Sequence, residues 1–105
     1  MIATTTSPVT LSKLVSRHEV AERTTAFRFE KPSNWTFEAG QSLDMTLCEP
    51  PETDAEGNTR TFSMASGPDE DTLIVATRMR DTAFKRVLKT MPLGSAVKIE
   101  GRPEA

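Results

Sequence analysis

Apolar and polar residues alternate over several short stretches of the chain, which is the pattern of strands that bury one face. A clear example is the stretch 24–31, where Thr25, Phe27 and Phe29 fall on one side. Turn-forming Gly, Pro and Asn residues separate the stretches. The alternation predicts six strands, at about 11–20, 24–31, 43–48, 60–66, 73–79 and 96–100.

One stretch has a helical period instead. Apolar residues recur at i, i+3, i+4 and i+7 from Phe84 to Met91, which predicts an amphipathic helix. Asp81 or Thr82 is the expected N-cap, and Pro92-Leu93-Gly94 ends the helix. Short strands with one helix between the fifth and sixth predict an all-β fold, a small antiparallel Greek-key β-barrel with one capping α-helix.

Composition narrows the class of protein. A chain of 105 residues, 36% of them hydrophobic, forms one domain with a modest core. A net charge of −2 gives no general attraction for nucleic acid or an anionic membrane, so neither partner is expected. The segment 49–58 holds two prolines and four acids and is predicted to be a loop without packing order.

Cysteine and histidine are scarce, and this bears on metal chemistry and location. Cys48 is the single cysteine and His18 the single histidine, so neither a disulfide within the chain nor a metal site is predicted. The first ten residues lack the charge and apolar run of a secretion signal, and no stretch is long and apolar enough to span a bilayer. The expected location is the cytoplasm.

The strand at 60–66 carries the most suggestive chemistry. Alternation places Arg60 and Phe62 on one face and Thr61 and Ser63 on the other. A guanidinium binds phosphate oxygens as a fork, and an aromatic face offers a stacking surface. The alternative interpretation is an edge strand with a solvated Arg60 and a core Phe62.

The predicted helix supplies a second group for an anion. Its first N–H groups, around Thr82, Ala83 and Phe84, have no partner within the helix and lie at the positive end of its dipole. The helix follows the strand after Arg60, and strands that are consecutive in sequence commonly pair. We therefore expect one phosphate group to meet both Arg60 and the helix.

Several stretches of the sequence together resemble the pattern of a known family. Residues 60–66, Arg-Thr-Phe-Ser-Met-Ala-Ser, resemble the Arg-x-Tyr-Ser-x-x-Ser motif of the FAD-binding domain of the ferredoxin-NADP reductase superfamily. Residues 37–41 are similar to its Phe-x-Ala-Gly-Gln segment, and residues 73–78 to its flavin-contacting strand. Residues 82–88 and 92–94 resemble its phosphate-binding helix and the following turn. In order and spacing the resemblance runs from Leu11 to Gly101.

The resemblance implies a set of site residues. Arg60 would bind the FAD pyrophosphate, Phe62 would lie along the ribityl chain and the isoalloxazine, and Ser63 would act as the catalytic residue near flavin N5. The other implied cofactor-binding residues are Thr61 in the motif, Ala76, Thr77 and Arg78 through their backbone, and Thr82, Ala83 and Phe84 at the pyrophosphate. Because Ser63 alternates away from Arg60 and Phe62, a twist or bulge is expected there.

The sequence also departs from the family pattern. Phe62 stands where the family has Tyr, and Met79 where the helix motif opens with Gly. No glycine-rich dinucleotide loop follows. The expected division is therefore a flexible lead-in at 1–10, an FAD-binding barrel at 11–101, and at 102–105 a truncated hinge toward a missing NAD(P)-binding domain.

The function implied by the resemblance is electron transfer. The chain would be the flavin domain of an NAD(P)H-dependent oxidoreductase that passes single electrons to a ferredoxin- or flavodoxin-like acceptor, with FAD more fitting than FMN. The alternative is a non-redox module on a similar barrel that binds another ligand or a protein. The residues leave open whether NADH or NADPH is the donor.

Overall fold

A computed structural model describes residues 9–32, 35, 41–67 and 70–101 of the chain. In this part the chain forms six strands and one helix, as predicted. The elements in chain order are β1 (Thr10–Ala21), β2 (Thr24–Glu30), β3 (Ser42–Leu47), β4 (Thr59–Ser63), β5 (Thr72–Arg78), α1 (Ala83–Thr90) and β6 (Ala96–Gly101).

The strands form one antiparallel sheet in the order β4-β3-β6-β1-β2-β5. Strands distant in sequence are neighbours, as in a Greek key. The sheet curls until its two edges meet at a single bridge between Met64 and Val75, where the Ala65 N–H also donates to the Ile74 carbonyl at 2.7 Å. We call this meeting line the seam. It leaves a partly open barrel and confirms the predicted fold class.

The long strand β1 carries the sheet around the barrel. Its first part, Thr10 to Lys13, pairs with β6, and its remainder pairs with β2. An irregularity in the register lies between Leu14 and Ser16, close to where β1 changes partner. A bulge bends a strand and increases its twist, so one continuous strand serves both halves of the barrel.

The core lies inside the curl, and α1 covers its open end. Phe84, Val87 and Leu88 of α1 join the buried cluster formed by the inward residues of the strands, and Trp35 completes it at 2% exposure. Burial of each large side chain contributes about 1.5–3 kcal/mol. The helix is therefore fixed against the barrel by its apolar face, as its period predicts.

The C-terminal end of α1 is bound by a cation from β1. The Arg17 guanidinium donates to the Met91 carbonyl at 2.6 Å and to the Leu88 carbonyl at 3.4 Å. We expect Arg17→Met to lower the free energy of unfolding by about 1 kcal/mol, because the carbonyls lose a charged donor at the negative end of the helix dipole. Urea unfolding measures this, with Lys98→Met as an exposed control; equal effects of the two would contradict it.

Some sequence predictions fall outside the described residues. These are most of the lead-in, residues 1–8, the segment 36–40 with most of the Phe-x-Ala-Gly-Gln resemblance, and residues 102–105. Among the described residues, the one helix is too short to cross a membrane.

Candidate functional site

Strand β4 alternates without interruption. Arg60 is half-buried and Phe62 is buried, while Thr61 and Ser63 are exposed on the opposite face. The register with β3 runs from Thr59 to Ser63 with no shift. Of the twist or bulge expected at Ser63, the bulge is therefore absent from the pairing of β4 with β3.

Arg60 nevertheless reaches the helix. Its guanidinium carbon lies 5.1 Å from the centroid of the Phe84 ring, which is the distance of a cation–π contact. The Phe62 and Phe84 rings are 5.9 Å apart between centroids. The curl of the sheet, and not a ladder between β4 and β5, brings together the motif and the N-terminus of α1.

The N-terminus of α1 holds an anion from its own chain. Thr82 is the N-cap and accepts from the Lys85 N–H at 3.3 Å. The N–H of Ala83, the first residue of the helix, donates to Asp54 Oδ2 at 3.0 Å. The other oxygen of this carboxylate, Oδ1, accepts from the Glu56 N–H at 3.0 Å. A carboxylate thus lies where the sequence predicts a phosphate.

Asp54 belongs to the connection between β3 and β4, residues 48–58, which we call the acidic loop. The sequence predicts a loop that no packing pattern organises, and in the structure ion pairs hold it instead. Glu56 pairs with Arg60 at 3.3 Å, and Glu52 pairs with Arg86 at 2.8 Å. The sequence signal was an acid at every second position, 52, 54 and 56, in a loop without cations.

Arg60 is held further by backbone carbonyls of this loop and of the first residue of β4. Its Nη1 donates to the carbonyl oxygens of Glu56 at 3.1 Å, Gly57 at 3.2 Å and Thr59 at 2.9 Å. The side chain keeps 19% of its surface exposed. The guanidinium is thus fixed in position, with its charge directed at the acidic loop and the helix.

These contacts shift the titration of the groups involved. The Ala83 N–H, and then the Glu56 N–H, lower the pKa of Asp54 below its ordinary 3.8. The Arg86 guanidinium lowers the pKa of Glu52 below 4.5, and Glu52 in turn raises the pKa of Arg86. Since both carboxyl pKa values are lowered, the contacts persist above the ordinary values and are lost as the pH falls through the lowered ones.

The seam presents the other predicted residues. Ser63 and Ala76 are exposed beside it, and the Thr77 hydroxyl accepts from the Lys85 ammonium at 3.0 Å. Ser66, the last residue of the motif, is 3% exposed and accepts from the Ile74 N–H at 3.0 Å, so it ties the two edges together. The Thr61 hydroxyl donates to the Asp44 carboxylate on β3.

An open groove of about 760 Å³ runs beside the helix. The sequence pattern does not predict that its lining residues come together. We call it the basic groove, because its lining holds six of the 13 Lys and Arg residues of the chain and one of the 15 acids. Burial lowers the pKa of Lys85 below 10.5, and the charges of Arg80 and Arg60 lower it further. The lining residues are Arg23, Arg78, Met79, Arg80, Asp81, Lys85, Arg86 and Lys89.

Comparison with known proteins gives a likeness of structure. No family model and no curated protein match the sequence. Among solved structures, a ferredoxin NADP+ reductase from Neisseria gonorrhoeae with bound FAD and NADP matches 93% of this chain with a TM-score of 0.75 and 18% identity. The Amycolatopsis cytochrome P450 reductase GcoB also matches 93%, with a TM-score of 0.70 and 21% identity.

A third match is phthalate dioxygenase reductase, with a TM-score of 0.67 and 21% identity over 91% of this chain. The chain spans 39%, 29% and 30% of the lengths of these three structures. At such identities the likeness establishes the fold. Over its matched part, the chain therefore has the fold found in ferredoxin NADP+ reductase and these related reductases, as the sequence resemblance implies.

Proposed function

We propose that the chain is the FAD-binding barrel of an NAD(P)H-dependent electron-transfer oxidoreductase. The observation that carries the proposal is that the Arg60 guanidinium lies over the ring of Phe84 in the first turn of α1, so that the guanidinium and the helix N-terminus are neighbours. Both already hold oxygens of carboxylates, Arg60 that of Glu56 and the Ala83 N–H that of Asp54. Phosphate oxygens use the same donors.

The donors of this place fit the diphosphate of FAD. A forked guanidinium, a helix N–H and the nearby Arg86 offer several positive groups within one surface, next to the further cations of the basic groove. Phe62 is 8% exposed, so in this structure its ring supports Phe84 from the core and does not offer a free face.

The protein's residues would divide the work as follows. Arg60 and the Ala83 N–H hold the diphosphate, while the exposed Ser63 places a hydroxyl on the outer face beside the seam. The backbone of Ala76, Thr77 and Arg78 lines the other side of the seam. When bound, FAD supplies the two-electron and one-electron redox chemistry, and the chain positions it.

The names of similar structures support the donor and the type of acceptor. One match was solved with FAD and NADP, and another is described as a modular structure for electron transfer from pyridine nucleotides to [2Fe-2S]. We therefore propose NAD(P)H as the co-substrate, an NAD(P)-binding domain as the companion, and a ferredoxin- or flavodoxin-like protein as the acceptor.

Titration with FAD tests the proposal. We expect one FAD to bind per chain, with saturation and with higher affinity than FMN. The quenching of flavin fluorescence measures the binding.

We expect Arg60→Ala to weaken FAD binding by about 2 kcal/mol, because a charge-assisted contact to phosphate is lost. Lys98→Ala is the control, since this exposed cation lies outside the basic groove and has no ion pair among the described residues.

Two results would count against the proposal. Equal FAD affinity of the parent and Arg60→Ala would remove Arg60 from the site. Absence of flavin binding by the folded parent would favour the alternative, a non-redox module that uses the same donors for another ligand or a protein.

A further inference from the structure

The three positive groups at the proposed phosphate site are all bound by one segment. Glu52 meets Arg86 at 2.8 Å, Asp54 meets the Ala83 N–H at 3.0 Å, and Glu56 meets Arg60 at 3.3 Å. The acids lie two residues apart along the acidic loop. Their carboxylates reproduce the charge that a ligand with two phosphate groups would bring.

An N–H that donates to a carboxylate oxygen cannot at the same time donate to a phosphate oxygen in the same position. If the loop stayed in place, an incoming diphosphate would also meet three like charges. Phosphate binding at Arg60 and α1 therefore requires the carboxylates to leave. Because exposed ion pairs are individually weak, a ligand with several charged contacts can displace them.

We infer that the acidic loop is a built-in competitor for the phosphate site, which holds the site closed until a diphosphate displaces Glu52, Asp54 and Glu56. The inference rests on the proposed function for the identity of the site. It adds a regulation of that site that depends on named acids of the chain.

The acidic loop lies at the surface of the barrel. Beyond its base it is tied to the rest of the protein by these carboxylates and by the Glu56 and Gly57 carbonyls, which accept from Arg60; its six residues 51–56 are all exposed. Its two ends are fixed differently, since Leu47 donates its N–H to the Asn58 carbonyl at 3.0 Å and closes the loop at its base. Release of the three acids would therefore open the loop and leave β3 and β4 paired.

Displacement would also change the surroundings of the site. Arg86 lines the basic groove, and Glu52 now neutralises part of its charge. Once Glu52 leaves, Arg86 keeps its ion pair with Asp81, but the negative charge of Glu52 no longer separates the groove from Arg60 and the N-terminus of α1. The opened site would favour a diphosphate over a single phosphate, since the second phosphate gains this extra field.

The test uses inorganic pyrophosphate as the probe and the full 105-residue chain. The loop variant is Glu52→Gln/Asp54→Asn/Glu56→Gln, which keeps hydrogen-bond acceptors and removes three charges. The control variant is Glu30→Gln/Asp71→Asn/Glu100→Gln, which removes the same charge from exposed carboxylates that lie outside the acidic loop and have no ion pair among the described residues. Circular dichroism and the thermal midpoint verify that both variants fold.

We expect the loop variant to bind pyrophosphate at least about tenfold more tightly than the parent in calorimetric titration, since three contacts of a few-fold each are removed. The control variant should stay within about twofold. In the parent, amide resonances of residues 52–56 should shift together with that of Ala83 as pyrophosphate is added.

Equal pyrophosphate affinity of the parent and the loop variant would overturn the inference, and so would binding without any shift in the loop resonances. FAD separates this result from the proposed function. If the pyrophosphate results are as expected and neither protein binds FAD, the competitor stands and the proposed cofactor is wrong. If both proteins bind FAD equally well, the competitor is wrong and the proposed function stands.

Discussion

The FAD-loaded chain is expected to react with NADH or NADPH no faster than free FAD does, yet to be reduced readily by dithionite. Hydride transfer requires the nicotinamide and the flavin to be held in near-attack geometry, and such holding is worth roughly 7 kcal/mol or more. The 105 residues contain no glycine-rich dinucleotide loop to provide it. Anaerobic mixing, followed by the loss of oxidised flavin absorbance, measures both reactions.

Free FAD at the same concentration is the control for this experiment. Rapid bleaching that saturates with the concentration of either nicotinamide would show a nucleotide site within these residues. The basic groove would then be the first place to look for it, because its arginines suit phosphate groups.

Phe62→Ala is expected to lower the free energy of unfolding by about 3–5 kcal/mol, as removal of a buried aromatic ring commonly does. The ring is 8% exposed and packs on Phe84, which fixes α1 to the barrel. Since small domains have about 5–15 kcal/mol in total, the loss would be readily measured by urea unfolding without cofactor.

Leu11→Ala is a useful control for that variant, because Leu11 also lies in a strand but is 60% exposed. It should change the free energy of unfolding by less than about 0.5 kcal/mol. An unchanged stability for Phe62→Ala together with weaker FAD binding would show that Phe62 faces the cofactor.

Phe62→Tyr keeps the aromatic ring, so the variant should bind FAD as tightly as the parent or more tightly.

The strands could be predicted from the sequence because each buries one face. The period of two identifies Leu43, Met45 and Leu47 as inward residues, and all three are buried. The helix could be predicted equally well, and its N-cap, Thr82, is one of the two residues expected there. In these elements the local pattern and the final packing follow the same physical cause, the burial of apolar surface.

The acidic loop could not be predicted in this way. Its order comes from contacts between residues far apart in sequence, such as Glu52 with Arg86, and ion pairs leave no periodic pattern in a sequence.

Phe62 shows a second limit of the sequence pattern. Alternation tells which residues share a face of a strand, and not whether that face meets the core or a ligand. The strands that pair with β6 could not be predicted from the sequence either, because the pairing of distant strands is set by the whole sheet.

The position of β6 has a consequence for how the chain reaches this structure. β6 pairs with β3 on one side and β1 on the other. Without it, the described strands fall into two separate pieces, β3-β4 and β1-β2-β5, joined only at the seam. The residue pairs it brings together, such as Thr10 with Ile99, are nearly a chain length apart, which predicts slow folding. During synthesis the barrel therefore cannot close until residues 96–101 have left the ribosome, and both pieces must wait with unpaired edges.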